Sequence, residues 1–271
     1  MRKRIYYENA TYHVISRATT GNILNMSPKP SSRFRAAIFI GIFLLSGCAS
    51  YIKKSLDFNE RIAQVKTIAV LPPDIEVYSL TAGGVKELID EWTDASKALV
   101  RDALKKHFGE RLGFQIKFIE EPWLKAEHKE PWEANRALYD AVSLATLIHA
   151  YPGVNAFPDK LVNYDYTLGK DVKALADACG ADALLFVRGV DHEATAGRTA
   201  LLVWNILMSA ATGVTIIPTN PSFMSIALVD AQTGDVEWFI TGPPENEYSF
   251  RSKEHIDGLI EWLTRDFLKK K

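Results

Sequence analysis

The chain has 271 residues, 47% of them hydrophobic and 24% charged, proportions that suit a folded globular domain and exclude a disordered or collagen-like chain. Its 32 lysines and arginines nearly cancel its 33 aspartates and glutamates, so net charge gives no attraction to nucleic acid, and none is expected as a partner. Two cysteines, Cys48 and Cys179, are too few for a disulfide framework.

Residues 1–25 begin with Arg2-Lys3-Arg4 but place Tyr6, Tyr7, Glu8, Tyr12 and His13 before any apolar run, so they form no export signal and read as a spurious or non-native extension. From Met26 the pattern changes. Basic Lys29, Arg33 and Arg35 lead into an unbroken apolar run from Ala36 to Leu45, which ends in Leu45-Ser46-Gly47-Cys48. The run is short of the roughly 20 apolar residues a permanent transmembrane helix needs. Basic flank, short apolar run and small residues together describe a signal peptide over residues 26–47. Residues 48–64 are polar after Tyr51, with Lys53, Lys54, Asp57, Glu60 and Arg61, and are expected to be a tether.

A single α/β domain is expected over residues 65–271. Thr67-Ile68-Ala69-Val70-Leu71 is a continuous apolar run stopped by Pro72-Pro73, the pattern of a strand buried on both faces. Val85, Leu88, Ile89, Trp92, Leu99, Ala103 and Leu104 recur at helical spacing and predict one long helix or two collinear ones. Phe114 to Ile119 alternates as a strand with one wetter face. The pattern loosens over about 122–168, where Trp123, Trp132 and four prolines surround one helical stretch from about Ala134 to His149; an insertion is expected there. A helix from Val172 to Cys179 ends at Gly180, and Ala183-Leu184-Leu185-Phe186-Val187 follows as another buried strand.

Residues 199–217 carry no charge and admit two readings: a buried or surface-docking helix and loop, or a segment that touches a membrane or forms an oligomer. Phe223–Asp230 and Val236–Ile240 flank Ala231-Gln232-Thr233-Gly234-Asp235 as a C-terminal β-hairpin. Ser252 then caps an amphipathic helix with Ile256, Leu259, Ile260, Leu263 and Phe267 on one face. The expected fold is therefore α/β, a mixed sheet of about four to five strands with flanking helices.

Leu45-Ser46-Gly47-Cys48 resembles the lipobox of bacterial lipoproteins. That resemblance implies that Leu45, Ser46 and Gly47 are read by the signal peptidase and that Cys48 becomes the acylated first residue, carrying diacylglycerol and an amide-linked fatty acid such as palmitate. Acyl chains stabilise membrane attachment by about 0.8 kcal/mol per buried CH₂, so two or three of them anchor the protein durably. Ala49 and Ser50 follow the cysteine with no aspartate, which by resemblance to enterobacterial sorting implies the periplasmic face of the outer membrane in a Gram-negative cell. Lys66 to Pro73, Gly180 to Leu185 and Leu228 to Trp238 together look like a group of envelope lipoproteins that includes the curli-secretion lipoprotein and the penicillin-binding-protein activator lipoproteins. Ile5 to Arg17 looks like the opening strand of the repeat-associated tyrosine transposases, whose catalytic tyrosine and paired histidines have no match in this chain.

The chemistry of catalysis is not announced. Gly83-Gly84 lacks the third glycine and lysine-serine end of a nucleotide loop, no serine sits in a nucleophile elbow, and Cys179 reads as a small buried hydrophobe. Asp191-His192-Glu193 is the densest set of potential metal ligands, but His192 has no second histidine at ligand spacing, and the triplet reads as a solvated loop. Glu120 and Glu121, adjacent at a strand end, face opposite ways. No catalytic residue, metal or cofactor is expected. Trp123, Trp132 and Trp204 are the candidate partner-binding residues. The expected function is a non-enzymatic, lipid-anchored envelope adaptor that binds another envelope protein or itself. The alternative is a subunit of an oligomeric export channel of the curli-secretion type, and an envelope hydrolase is a distant third.

Overall fold

A computed structural model describes residues 51–108, 114–153, 155–195, 197, 222–242, 248–265 and 267. In chain order the elements are Ile52–Lys54 (β1), Phe58–Ile62 (α1), Thr67–Val70 (β2), Asp74–Leu80 (β3), Lys86–Leu88 (β4), Asp90–Phe108 (α2), Gln115–Phe118 (β5), Glu121–Glu127 (α3), Lys129–His149 (α4), Pro158–Val162 (α5), Val172–Cys179 (α6), Ala183–Ala194 (β6), Phe223–Asp230 (β7), Val236–Thr241 (β8) and Lys253–Thr264 (α7).

The strands form one mixed sheet of eight, ordered β1-β8-β7-β6-β2-β5, with β3 beside β6 and β4 beside β3. The long β6 serves two parallel neighbours in line. Its start pairs with β2 through Ala69↔Leu184, and its far half pairs with β3 through Asp74↔Arg188 to Leu80↔Ala194. Alternation along the strands divides the core into two layers. Ile68, Val70, Leu185, Ile226 and Trp238 point to one face, where α2 and α7 supply Val100, Leu104, Ile256 and Ile260. Ala69, Leu71, Leu184, Phe186 and Phe239 point to the other, where Trp132 and Tyr139 of α4 and Leu175 of α6 cover them.

Local chemistry fixes the joints. Gly180 ends α6 at φ 58°, and the Asp182 carboxylate then accepts the backbone N–H groups of Lys66 and Thr67 at 2.9 Å each. Those two bonds hold Asp182 below its ordinary pKa and clip the start of β2 to the start of β6. In the hairpin, Asp230 Oδ1 accepts from the backbone of Gln232 and Thr233, leaving Gly234 at φ 78°. Ser252 caps α7 by accepting from the His255 N–H.

The class agrees with expectation, as do the hairpin and its following helix, but the sheet is larger by β1, β3 and β4. Pro72-Pro73 ends β2 without ending the extended chain, which resumes at Asp74 and buries Ile75 and Val77. The helix expected from Val85 begins only at Asp90. Thr81 to Val85 is a turn, with Gly84 at φ 82°, that folds β4 back on β3, and Val85 stands 64% exposed. The segment expected to be a tether is folded from Ile52 onward. β1 pairs with β8 through Ile52↔Ile240, and Phe58 of α1 is buried at 3% exposure. Arg61 fastens this stretch by reaching Glu237 at 2.9 Å and Asp235 at 3.0 Å.

Candidate interaction surface

α4 is amphipathic in the reverse of the usual sense. Its buried positions are Trp132, Asn135, Tyr139, Ser143 and Thr146, four of the five carrying a polar group besides Trp132. The opposite stripe runs Ala134, Ala137, Leu138, Ala141, Leu144, Ala145 and Ile148 and contains no polar side chain. Leu138 is 41% and Leu144 58% exposed.

The inward polar groups find partners within the protein, Asn135 donating to the Pro131 carbonyl of its own helix at 2.8 Å. Ser225 of β7 sits between the hydroxyls of Tyr139 at 3.1 Å and Ser143 at 2.9 Å, and Thr146 lies 3.4 Å from the hydroxyl of Tyr164. Burial pushes the Tyr139 phenol far above its ordinary range, so it stays a neutral partner for Ser225. Near the start of α4 an ion cluster joins helix to sheet: Arg188 of β6 contacts Glu76 and Asp140 at 2.9 Å each, while Arg136 contacts Asp74 at 3.3 Å. Burial would raise Glu76, but its bond to Arg188 prevails and holds it below the usual carboxylate range. At Asp140 the balance goes the other way: burial raises it to about 6 against the pull of Arg188.

α4 thus crosses one sheet face from the β3 side towards the β1 edge. At its end the Tyr151 hydroxyl donates to the Tyr51 carbonyl at 2.7 Å, and Lys53 Nζ stands 5.1 Å from the Tyr151 ring centre. The chain turns back there. The Phe157 N–H donates to the His149 carbonyl at 3.0 Å, and the two rings stack 4.0 Å apart. Phe157, Leu161 and Val162 remain 52%, 37% and 77% exposed.

Other sequence candidates fall into structural roles. Asp191, His192 and Glu193 lie within β6 instead of a solvated loop. Asp191 is buried at 2% and accepts the backbone N–H groups of Phe250 at 2.7 Å and His192 at 2.8 Å, with Ser222 Oγ as a third donor. Glu193 accepts from Ser249 Oγ, so both carboxylates fasten the segment before α7 to the sheet. Among the described residues no group of three or more His, Cys, Asp and Glu is placed to hold a metal, and no helix is long and apolar enough to cross a membrane. Glu120 pairs with Arg101 and Glu121 with Lys125, on separate partners. Cys179 is 6% exposed, and burial pushes its thiol up to about 11.

Of the candidate partner-binding tryptophans, Trp123 is half-buried and meets the His128 ring edge-on at 4.6 Å. Trp132 is 4% exposed and belongs to the core, where it plugs α4 onto the sheet instead of facing outward. Trp204 and the uncharged stretch 199–217 lie outside the described residues, as do residues 1–25, the signal-peptide residues Leu45, Ser46 and Gly47, and Cys48. The exposed residues of α4 and α5 were not singled out from the sequence. Their signal is present, as a second apolar stripe three and four residues apart, but pattern alone assigns the more apolar stripe to the core.

No protein-family model matches the chain, and no curated protein matches it. Among solved structures, a PelC dodecamer from Paraburkholderia phytofirmans aligns at 8% identity and TM-score 0.32 over 76% of this chain and 89% of that one. The C-terminal domain of LpoB from Salmonella enterica aligns at 11% identity and TM-score 0.25, over 68% of this chain and 90% of that one. A lipoprotein from Neisseria meningitidis aligns at 12% identity and TM-score 0.25, over 74% and 94%. Each is a distant similarity in the arrangement of helices and strands.

Proposed function

We propose that the mature chain is a lipid-anchored adaptor of the bacterial envelope, held by acylated Cys48 at the periplasmic face of the outer membrane and acting by binding a partner protein instead of by catalysis. The observation that carries this reading is the reversed amphipathicity of α4. A helix that turns Asn135, Ser143 and Thr146 inward and Leu138 and Leu144 outward leaves apolar surface in water, which is disfavoured unless another molecule covers it. The alanines between the leucines keep that face low, so a partner helix can approach the α4 backbone closely. The lipobox supplies the address and α4 the contact.

The test is a Leu138→Asp, Leu144→Asp variant of the full chain expressed in its own host. Both residues are exposed, so the unfolding free energy should stay within about 0.5 kcal/mol of the parent. Proteins that crosslink to the parent in intact cells should be lost, and outer-membrane fractionation should be unchanged. Undiminished crosslinking by the folded variant overturns the α4 reading. Sizing of the detergent extract separates an adaptor, small or in a complex with its partner, from a ring of many copies, which would establish the channel instead. Intact mass of the membrane-extracted protein should give a triacylated chain that starts at Cys48; an unmodified chain starting earlier would end the anchoring reading.

A further inference from the structure

Only Ala49 and Ser50 separate Cys48 from Tyr51, and the sheet begins at Ile52. A fully extended chain spans at most about 3.6 Å per residue, so three steps from Cys48 reach roughly 10 Å. An acylated Cys48 therefore holds the β1 edge against the bilayer surface. The corner that shares this edge is the end of α4 with α5, because Tyr151 bonds the Tyr51 carbonyl and His149 carries the stacked Phe157.

The chemistry of that corner is suited to the boundary between headgroups and acyl chains. Asp159 of α5 accepts from the Asn163 amide at 2.8 Å and Lys160 pairs with Asp165, so both charges of α5 have partners within the protein. Beside the exposed Asp159 and Asp165, an apolar group projects from the same corner: Phe157, Leu161 and Val162, with Val162 the most exposed at 77%. One face of the Phe157 ring is covered by His149, whose Nδ1–H donates to the Asn155 carbonyl at 2.8 Å and fixes the imidazole beneath it. The ring is presented, not loose.

We infer that α5 and Phe157 form a membrane-contacting foot, which dips into the interfacial layer beside the lipid anchor and sets the orientation of the domain on the bilayer. The partner is the lipid surface itself. With the one cation of α5, Lys160, already paired to Asp165, the contact is made by the apolar side chains and does not depend on anionic headgroups. This inference rests on acylation of Cys48, proposed above.

The experiment uses the acylated protein in vesicles of phosphatidylethanolamine and phosphatidylglycerol, with an environment-sensitive fluorophore on Val162→Cys and, as reference, on Leu138→Cys. Both sites are exposed, and the native cysteines do not compete, Cys179 being buried and Cys48 acylated. Brominated acyl chains should quench the probe at 162 several-fold more than the probe at 138, aqueous iodide should show the opposite order, and raising salt should leave both unchanged. A probe at 162 open to iodide on an acylated, vesicle-bound protein overturns the foot and leaves the anchor standing. A probe at 162 shielded from both quenchers also overturns it and assigns the corner to a second copy of the chain. Quenching that disappears at high salt overturns the apolar contact. Intact mass without acyl groups overturns the anchoring reading and this one with it, so the two failures are distinct.

Discussion

Gly234 lies at φ 78°, and a Cβ built there would stand 2.0 Å from the Gly169 carbonyl oxygen. A left-handed conformation costs a non-glycine residue about 1 to 3 kcal/mol, and the backbone contact adds to it. Gly234→Ala should therefore lose about 3 kcal/mol or more of stability, read as a shift in urea midpoint; a loss below about 1 kcal/mol would show that the Gly169 turn yields freely. Asp140 gives a pH signature. Its folded carboxyl keeps its proton up to about 6, whereas the unfolded chain releases it near the ordinary value of 3.8. Between those values the folded state binds more protons, so the Asp140 contribution to stability falls as pH rises, the loss being complete above about 6. Asp140→Asn should flatten the stability slope across that window, measured by urea unfolding at successive pH values. An unchanged slope would mean that Arg188 neutralises Asp140 throughout.

At the scale of elements, legibility followed how each charge is satisfied. The hairpin, α7 and the apolar start of β6 could be read because period and turn chemistry agree there. Asp191-His192-Glu193 reads as loop because its carboxylates look like solvent residues, yet Asp191 meets three donors, and Arg188 just before them meets Asp74, Glu76 and Asp140. Long-range partners of this kind leave no local trace. β3 did leave one, the alternation of Ile75 and Val77, hidden behind Pro72-Pro73. β1 is a three-residue edge bearing two lysines, the composition that keeps an edge strand from pairing promiscuously and also makes it resemble linker. In α4 the polar stripe is inside, so the period that marks the helix does not say which face is buried. The two faces should separate by stability. Tyr139→Ala on the inner face should cost about 3 to 5 kcal/mol, as for other large aromatic truncations. Leu144→Ala on the outer face should stay within about 0.5 kcal/mol. A large loss at Leu144 would mean that α4 is covered by the chain itself.

For the whole molecule, the contact between β1 and β8 joins the ends of the domain. Glu237, 3% exposed in β8, accepts from Ser55 Oγ and pairs with Arg61, so one side chain clasps both the end of β1 and α1. Glu237→Gln removes one of the two carboxylates that face Arg61, leaving Asp235 and the Thr233 hydroxyl. It should cost about 1 to 3 kcal/mol and expose Lys53 and Lys54 to trypsin under native conditions, before the remaining sheet is cut; simultaneous cutting throughout would show that the edge strand has no separate opening. The same pairing governs the order in which the protein can be completed. Ile52 is among the first folded residues to be synthesised, and its partner Ile240 lies in the last strand of the sheet to follow. An acyl group added at Cys48 would therefore be in place while the sheet still lacks its final strands, and the domain would finish folding on the membrane surface as a tethered, unclosed intermediate. A chain in that state would have open strand edges, exposed to mispairing, until β8 arrives.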